Sequence, residues 1–326
     1  MIGAMRADRP NARMVVEGRR ELEGVRRFSH EAMATVFEVH TVHADRRYAA
    51  QAAQAAFDLA DRLERELSRF LPNSDIGRIN GLAAGERTRV SPSTMECLVI
   101  ARHLFDLTGG AFDVSIGTGL ASLDVDPGGC IVHARASGVR LDLGGIGKGY
   151  AVDLMAELLE EWGLERALVH GGFSSVLALE PPPGRRGWPL TLSDPCAPPT
   201  VLARLSARQT ALGASGVRKG DHIIDPRTGV PARGRRAAWA AVPRPHAPGG
   251  EARAGERPRL AAAAVTDALA TAFMLLSSDE IRRLCDRSPG LEAWILSEPG
   301  EGPDAGAPLL HVGGARRGRA GTARRR

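Results

Sequence analysis

Apolar residues recur at every third or fourth position from Ala49 to Phe70, where Ala53, Ala56, Phe57, Ala60, Leu63 and Leu67 share one face. Charged residues fill the gaps, so the spacing predicts a long amphipathic helix. The stretch before it, FSHEAMATVFEVHTV from Phe28, sets Val36, Phe37, Val39 and Val42 among polar or small residues and predicts a strand. Turn formers fill LPNSDIGRINGLAAGE. Helical spacing then resumes from Ser91 to Leu107 through Met95, Leu98, Val99, Arg102 and Phe105, with Ser91 as cap and Gly109-Gly110 as stop.

Downstream, GVRLDLGGIGKGYAVDLMAELLEEWG predicts a strand, a glycine turn and a helix burying Val152, Met155, Leu158, Leu159 and Trp162. ERALVHGGFSSVLAL predicts two strands about a turn at Gly171 and Gly172. The Pro-rich residues 181–199 are expected to form a loop or hairpin connection. TVLARLSARQTALGASG predicts two more strands, and HIIDPRTGVPA a strand ending in a Pro/Gly turn. Residues 243–259 hold four prolines at low complexity and are expected to be a mobile surface insertion, followed by the apolar helix LAAAAVTDALATAFMLL. No internal repeat is present. Strand runs mixed with helices predict an α+β fold with a largely antiparallel, mixed sheet core and packed helices, not a βαβ series. Residues 28–312 are expected to form one unit, with 1–27 an N-terminal extension.

Composition narrows the function class. The 326 residues carry 43 Lys+Arg against 38 Asp+Glu, a net +5. Six of those arginines lie in residues 313–326, GGARRGRAGTARRR, the composition of a disordered tail, and without them 37 basic residues face 38 acidic ones. Only 4% of residues are aromatic, so neither a basic groove with stacking aromatics nor a nucleic-acid partner is expected, binding through the basic tail being the minor alternative. No apolar run is long enough for an integral membrane segment, and MIGAMRADRPNARMVVEGRRELEG lacks the apolar stretch of a secretory signal, so the expected location is cytoplasmic. Cys97, Cys130, Cys196 and Cys285 are scattered without zinc-ligand spacing and read as reduced, small hydrophobes.

Three segments carry candidate chemistry. The turn Leu143-Gly144-Gly145-Ile146-Gly147-Lys148-Gly149-Tyr150 is not a Walker loop, because Asp142 and Gly149 stand where Gly and Ser/Thr are needed. It is not a dinucleotide fingerprint either, being spaced G-x-G-x-G. Bare amides at a helix start with Lys148 beside them suit an anion, and a tight turn packing helix on strand is the equal alternative. In the apolar helix, Asp267 and Thr271 lie four apart on one face. A buried acid there needs a partner, and carboxylate plus hydroxyl are hard ligands suited to Mg²⁺; Thr271 bonding back to its own helix is the competing reading. His222 precedes an apolar pair and the Asp225-Pro226-Arg227-Thr228-Gly229 turn, where it serves either as a proton acceptor or as a structural residue.

These segments occur in one order: Met33-Ala34-Thr35, Gly110-Ala111-Phe112-Asp113, Asp142 through Asp153, Ser215-Gly216, His222 through Gly229, and Asp267-Ala268-Leu269-Ala270-Thr271-Ala272. Together, from about Phe28 to Leu296, the chain resembles the ApbE family of FAD:protein FMN transferases. The resemblance implies a T-fold-related architecture and a reaction in which FAD is split at its diphosphate. FMN passes to a Ser/Thr hydroxyl of an acceptor protein, and AMP leaves. It also implies that Asp267, Thr271 and the Gly147 carbonyl hold Mg²⁺, that His222 is the base, and that Met33, Ala111, Phe112 and Asp113 hold the flavin nucleotide. Lys148, Tyr150 and Ile224 fall in the FAD-binding region. A Mg²⁺-dependent FAD pyrophosphatase and a non-catalytic FAD-binding protein are the alternatives. The chain departs from the family pattern at Ala34, at Phe173 and in the short connection Val217 to Asp221.

Overall fold

The computed structural model describes residues 14–16, 22, 24–172, 174–197, 200–217, 220, 222–244, 261–298 and 309–314. The chain runs β1 (Met14–Val16), β2 (Val25–Ala32), β3 (Thr35–Val42), α1 (Arg46–Leu67), α2 (Asp75–Asn80), β4 (Arg87–Arg89), α3 (Pro92–Leu107), β5 (Leu123–Asp126), β6 (Ile131–Ala134) and α4 (Gly147–Glu161). It continues β7 (Ala167–Gly171), β8 (Ser175–Ala178), β9 (Trp188–Ser193), β10 (Val201–Ala207), β11 (Thr210–Gly216), β12 (Arg235–Pro243), α5 (Ala262–Phe273), α6 (Ser278–Arg287), β13 (Glu292–Ser297) and β14 (Leu310–Gly313).

Eight strands form the central sheet in the order β14-β13-β12-β11-β8-β7-β3-β2, and two three-stranded sheets, β1-β9-β10 and β4-β6-β5, lie apart from it. Every pairing among the described residues is antiparallel, which is the α+β architecture expected. The period of two in β12 shows how the sheet is covered. Ala238 and Ala240 join the main core with the helices, while Ala237, Trp239 and Ala241 join a second core with Trp188, Leu190 and Leu192 of β9. Both faces are therefore buried, and α4 and α5 pack on the first of them.

Several local expectations are corrected. Residues 139–141 form no strand, although Val139 and Leu141 are buried. Their backbone groups are satisfied by side chains: Asn80 brackets Leu141 through both its amide atoms (2.6 and 3.0 Å), and Thr118 accepts from Arg140 N (2.9 Å). HIIDPRTGVPA makes only one bridge, Ile224 with Pro231, because the Asp225–Gly229 turn folds the segment onto itself instead of onto a sheet. The Pro-rich connection contains β9, whose Trp188, Leu190 and Leu192 alternate into the second core. The N-terminal extension contains β1 and the start of β2, and β14 reaches Gly313. The expected insertion overlaps the end of β12 at Pro243; its residues 245–259 and the tail residues 315–326 lie outside the described residues. All four cysteines are free, but Cys196 is exposed, not a buried hydrophobe. Among the described residues, no helix is long and apolar enough to cross a membrane.

Candidate functional site

The site is built around α5. Its N-cap, Ala261, has no side chain able to satisfy the first N–H groups, and the cap comes from another helix. Asp153 of α4 accepts from Ala263 N (2.9 Å) and Ala264 N (2.8 Å), and its burial pushes the carboxyl up to about 7 against those bonds. Two glycines let backbones close on α5 from either side. A Cβ at Gly149 would sit 2.2 Å from Ala263 O, and one at Gly213 of β11 would sit 2.0 Å from Thr266 O. The last glycine of the G-x-G-x-G turn is thus a helix-packing glycine. Gly147 is different: a Cβ there meets nothing nearer than 3.9 Å, so an alanine fits.

Held this way, α5 places Asp267 and Thr271 one turn apart beside the start of α4. Asp267 is 3% exposed. Burial raises its pKa, opposed by Lys148 Nζ (3.2 Å from Oδ2) and by the N–H of Gly149 (3.1 Å). Lys148 Nζ also donates to Gly144 O (3.0 Å), so this lysine bridges the glycine turn and the acid. Thr271 Oγ1 donates to Asp267 O (3.3 Å), the back-bond expected of a helical threonine, which leaves its oxygen lone pairs to accept or ligate. Carboxylate, hydroxyl and the backbone at Gly147 border one cavity. This donor set of hard oxygens fits Mg²⁺, and Lys148 shows that a cation is favoured at the carboxylate.

Three turns form the remaining walls. Met33 and Ala34 both have positive φ (50° and 55°) between the paired Ala32 and Thr35, the two-residue hairpin geometry that glycine and asparagine favour. In the loop after α3, Phe112 packs over Gly145, where an added Cβ would lie 3.2 Å from Cε2. Asp113 is spent on the loop itself: it accepts from Ser115 N (2.7 Å), Ser115 Oγ (2.8 Å) and Gly117 N (3.0 Å). That loop meets the Asp225–Gly229 turn closely, since a Cβ at Gly117 would be 2.7 Å from Pro226 O. Asp225 in turn holds Arg227 through Nε (2.9 Å) and Nη2 (2.8 Å), and these bonds set its carboxyl below the usual range.

A cavity of about 620 Å³ opens between these pieces, within the range of small-molecule sites. Met33, Ala111, Phe112, Asp113, Gly147, Lys148, His222, Ile224, Asp267 and Thr271 all border it. One wall is apolar and partly aromatic and the other carries oxygens and a lysine, which suits a ligand with a flat ring at one end and phosphates at the other. His222 is exposed, and its Nδ1 lies 3.0 Å from Gly220 O. A carbonyl only accepts, so Nδ1 is the donor in that bond.

Tyr150 does not border the cavity. It is 1% exposed, and its hydroxyl donates to Glu96 Oε2 (2.6 Å), so burial and that carboxylate raise its pKa. Lys148 and Tyr150 are two residues apart on one helix and so point to opposite sides. Phe173, Arg218, Lys219 and Asp221, which carry two of the departures from the family pattern, lie outside the described residues. The end of α1 is a wall that sequence reasoning missed. Ser68, Arg69 and Phe70 border the cavity, with Arg69 Nε 3.1 Å from Asp142 Oδ2 and its guanidinium over the Phe70 ring at 4.5 Å. The usable signal is a Phe in the Ser-Arg-Phe-Leu-Pro helix exit; Phe70 is 78% exposed.

Known proteins resemble most of this chain. A Vibrio cholerae protein named FAD:protein FMN transferase is 25% identical over 219 residues, covering 54% of this chain and 64% of that protein, just under two thirds of its length. A Treponema pallidum protein of the same name is 26% identical over 296 residues, 75% of this chain and 76% of that one. The solved structure of the flavin transferase ApbE from Vibrio cholerae superposes with a TM-score of 0.71 at 18% identity over 88% of this chain and 97% of that one, which shows a shared fold. The ApbE family's sequence profile matches residues 33–128 and 118–247, a span that holds the hairpin, the glycine turn and the Asp225–Gly229 turn that meet at the cavity, and the chain belongs to the ApbE family.

Proposed function

We propose that this protein transfers FMN from FAD to a Ser or Thr hydroxyl of an acceptor protein and releases AMP. The observation that carries the reading is the convergence of Asp267, Thr271 and Gly147 with His222 on one cavity that also has an apolar wall. Asp267, Thr271 and the Gly147 carbonyl would hold Mg²⁺, which when bound supplies positive charge against the charge developing on the diphosphate. Lys148, already at Asp267 and the glycine turn, adds a second cation for the phosphates. Met33, Ala111 and Phe112 offer the apolar face for the flavin ring, with Asp113 holding their loop in shape. The acceptor oxygen forms a bond to the phosphorus of the FMN half as the bond from that phosphorus to the AMP oxygen breaks. The hydroxyl proton passes to His222, which borders the same cavity.

Incubation with FAD, Mg²⁺ and an acceptor peptide is expected to yield a fluorescent, covalently flavinylated product and AMP, both lost in Asp267→Ala. Free FMN and AMP without labelled peptide would assign an FAD pyrophosphatase instead. Binding of FAD with no turnover under any divalent ion would assign a binding protein.

A further inference from the structure

A second cluster of ligating side chains lies on the other face of the central sheet, away from the cavity. Glu38 and His40 are two apart on β3 and therefore project to the same side, and His170 of β7 is the cross-strand partner of Glu38. That side is the one on which Leu168 and Val176 enter the second core, whereas Phe37, Val39 and Val169 enter the helical one. The two imidazoles approach a single oxygen: His40 Nε2 and His170 Nε2 are each 3.0 Å from Glu38 Oε2. Their rings stack with centroids 5.5 Å apart. The other carboxylate oxygen, Oε1, is taken by Arg27. Among the described residues, this is the one group of three such side chains whose ligand atoms all lie within 4.8 Å of one another.

We propose that Glu38, His40 and His170 form a metal centre for a zinc-class divalent ion, separate from the hard-oxygen set at Asp267. Two imidazole nitrogens and one carboxylate oxygen are a donor set that zinc favours and Mg²⁺ does not. Bonds of about 2.0–2.1 Å to a tetrahedral ion put ligand atoms about 3.3 Å apart, so each of the two 3.0 Å glutamate–histidine separations accepts one by opening a few tenths of an ångström. Each imidazole then binds through Nε2 and carries its proton on Nδ1, Arg27 stays on Oε1 as an outer partner that orients the carboxylate, and water completes the shell. His40 is the least buried of the three, its side chain 12% exposed, and marks the entry side. The centre would clamp β3 to β7 immediately before Gly172, which borders the cavity.

The full chain, stripped with chelator and titrated with Zn²⁺ and Co²⁺ in excess Mg²⁺, tests this. One tightly held Zn²⁺ per chain is expected, with visible Co²⁺ bands of nitrogen and oxygen ligation and a thermal midpoint that rises with Zn²⁺. His40→Gln should weaken Zn²⁺ by about tenfold or more, because even outer-partner losses cost that much. Asp267→Ala should leave the Zn²⁺ affinity unchanged. Absence of stoichiometric Zn²⁺ in the native protein, or the same affinity in folded His40→Gln, overturns the proposal. Should that variant not fold, imidazole nitrogen resonances of the native protein decide. Zn²⁺-dependent shifts at Nε2 of His40 and His170 uphold the centre, and Zn²⁺ binding that leaves both unmoved overturns it.

Discussion

Asp267 and His222 border the same cavity from supports that differ in kind. Asp267 sits within a helix pinned by a cross-helix cap and by two glycine contacts to backbone, and it is almost fully buried. His222 stands exposed on a segment whose only strand-like pairing among the described residues is the bridge of Ile224 with Pro231. In the proposed reaction, the half of the site that would meet a cation is built by the fold itself, since charge stabilisation depends on donors that need not move. The half that would take the proton lies where the acceptor must arrive, and a loop there adjusts to the incoming chain.

Removing the built half should cost most. Asp267→Ala is expected to lower AMP release by about 10³-fold or more, with circular dichroism unchanged, because it takes away a charged group aimed at the diphosphate. His222→Ala should lower flavinylation by about 10²-fold while FAD still binds, which equilibrium fluorescence titration would check. Equal losses of FAD affinity in both variants would erase the contrast.

The supports can be broken in their own right. Gly149→Ala drives a methyl group into the Ala263 carbonyl and is expected to cost about 2–3 kcal/mol in denaturant unfolding, with the proposed cation site lost alongside. Asp153 gives a pH signature. Its folded value of about 7 lies above the ordinary 3.8, so the folded chain keeps a proton that the unfolded chain releases. The stability contribution is present below about pH 4 and is lost as pH rises toward 7, by about 4 kcal/mol at most across that window. Asp153→Asn should flatten that slope at the loss of one capping hydrogen bond. The smallest effect is expected at the hairpin, where Ala34→Gly relieves a positive φ and should stabilise by about 0.5–1 kcal/mol, read as a rise in thermal midpoint.

What the sequence disclosed follows the range of the interaction. Asp267 and Thr271 were legible because helical spacing alone puts them on one face, and TVLARLSARQTALGASG read as the two strands that β10 and β11 are, whereas β12 went unpredicted. Tyr150 entered the FAD-binding region through the resemblance, and the helical period places it opposite Lys148, away from the cavity. The reason for Gly149 was out of reach, since the atom it avoids, Ala263 O, is more than a hundred residues away. Residues 139–141 read as a strand because their apolar alternation is real, while the partners that replace a ladder are side chains elsewhere in the chain, Asn80 at the end of α2 and Thr118 in the loop after α3. Glu38, His40 and His170 escaped notice because a cluster across two strands has no spacing in the chain.

The borrowed cap of α5 sets an order of assembly. The bonds from Ala263 and Ala264 to Asp153 span 110 and 111 residues, so the first turn of α5 lacks its acceptors until α4 has docked. A helix that cannot begin properly by itself forms late, and Asp267 and Thr271 come to face the glycine turn only then. In the proposed reaction, cation binding is therefore expected to appear in the final refolding phase, and an incompletely folded chain would lack a place to hold the diphosphate of FAD.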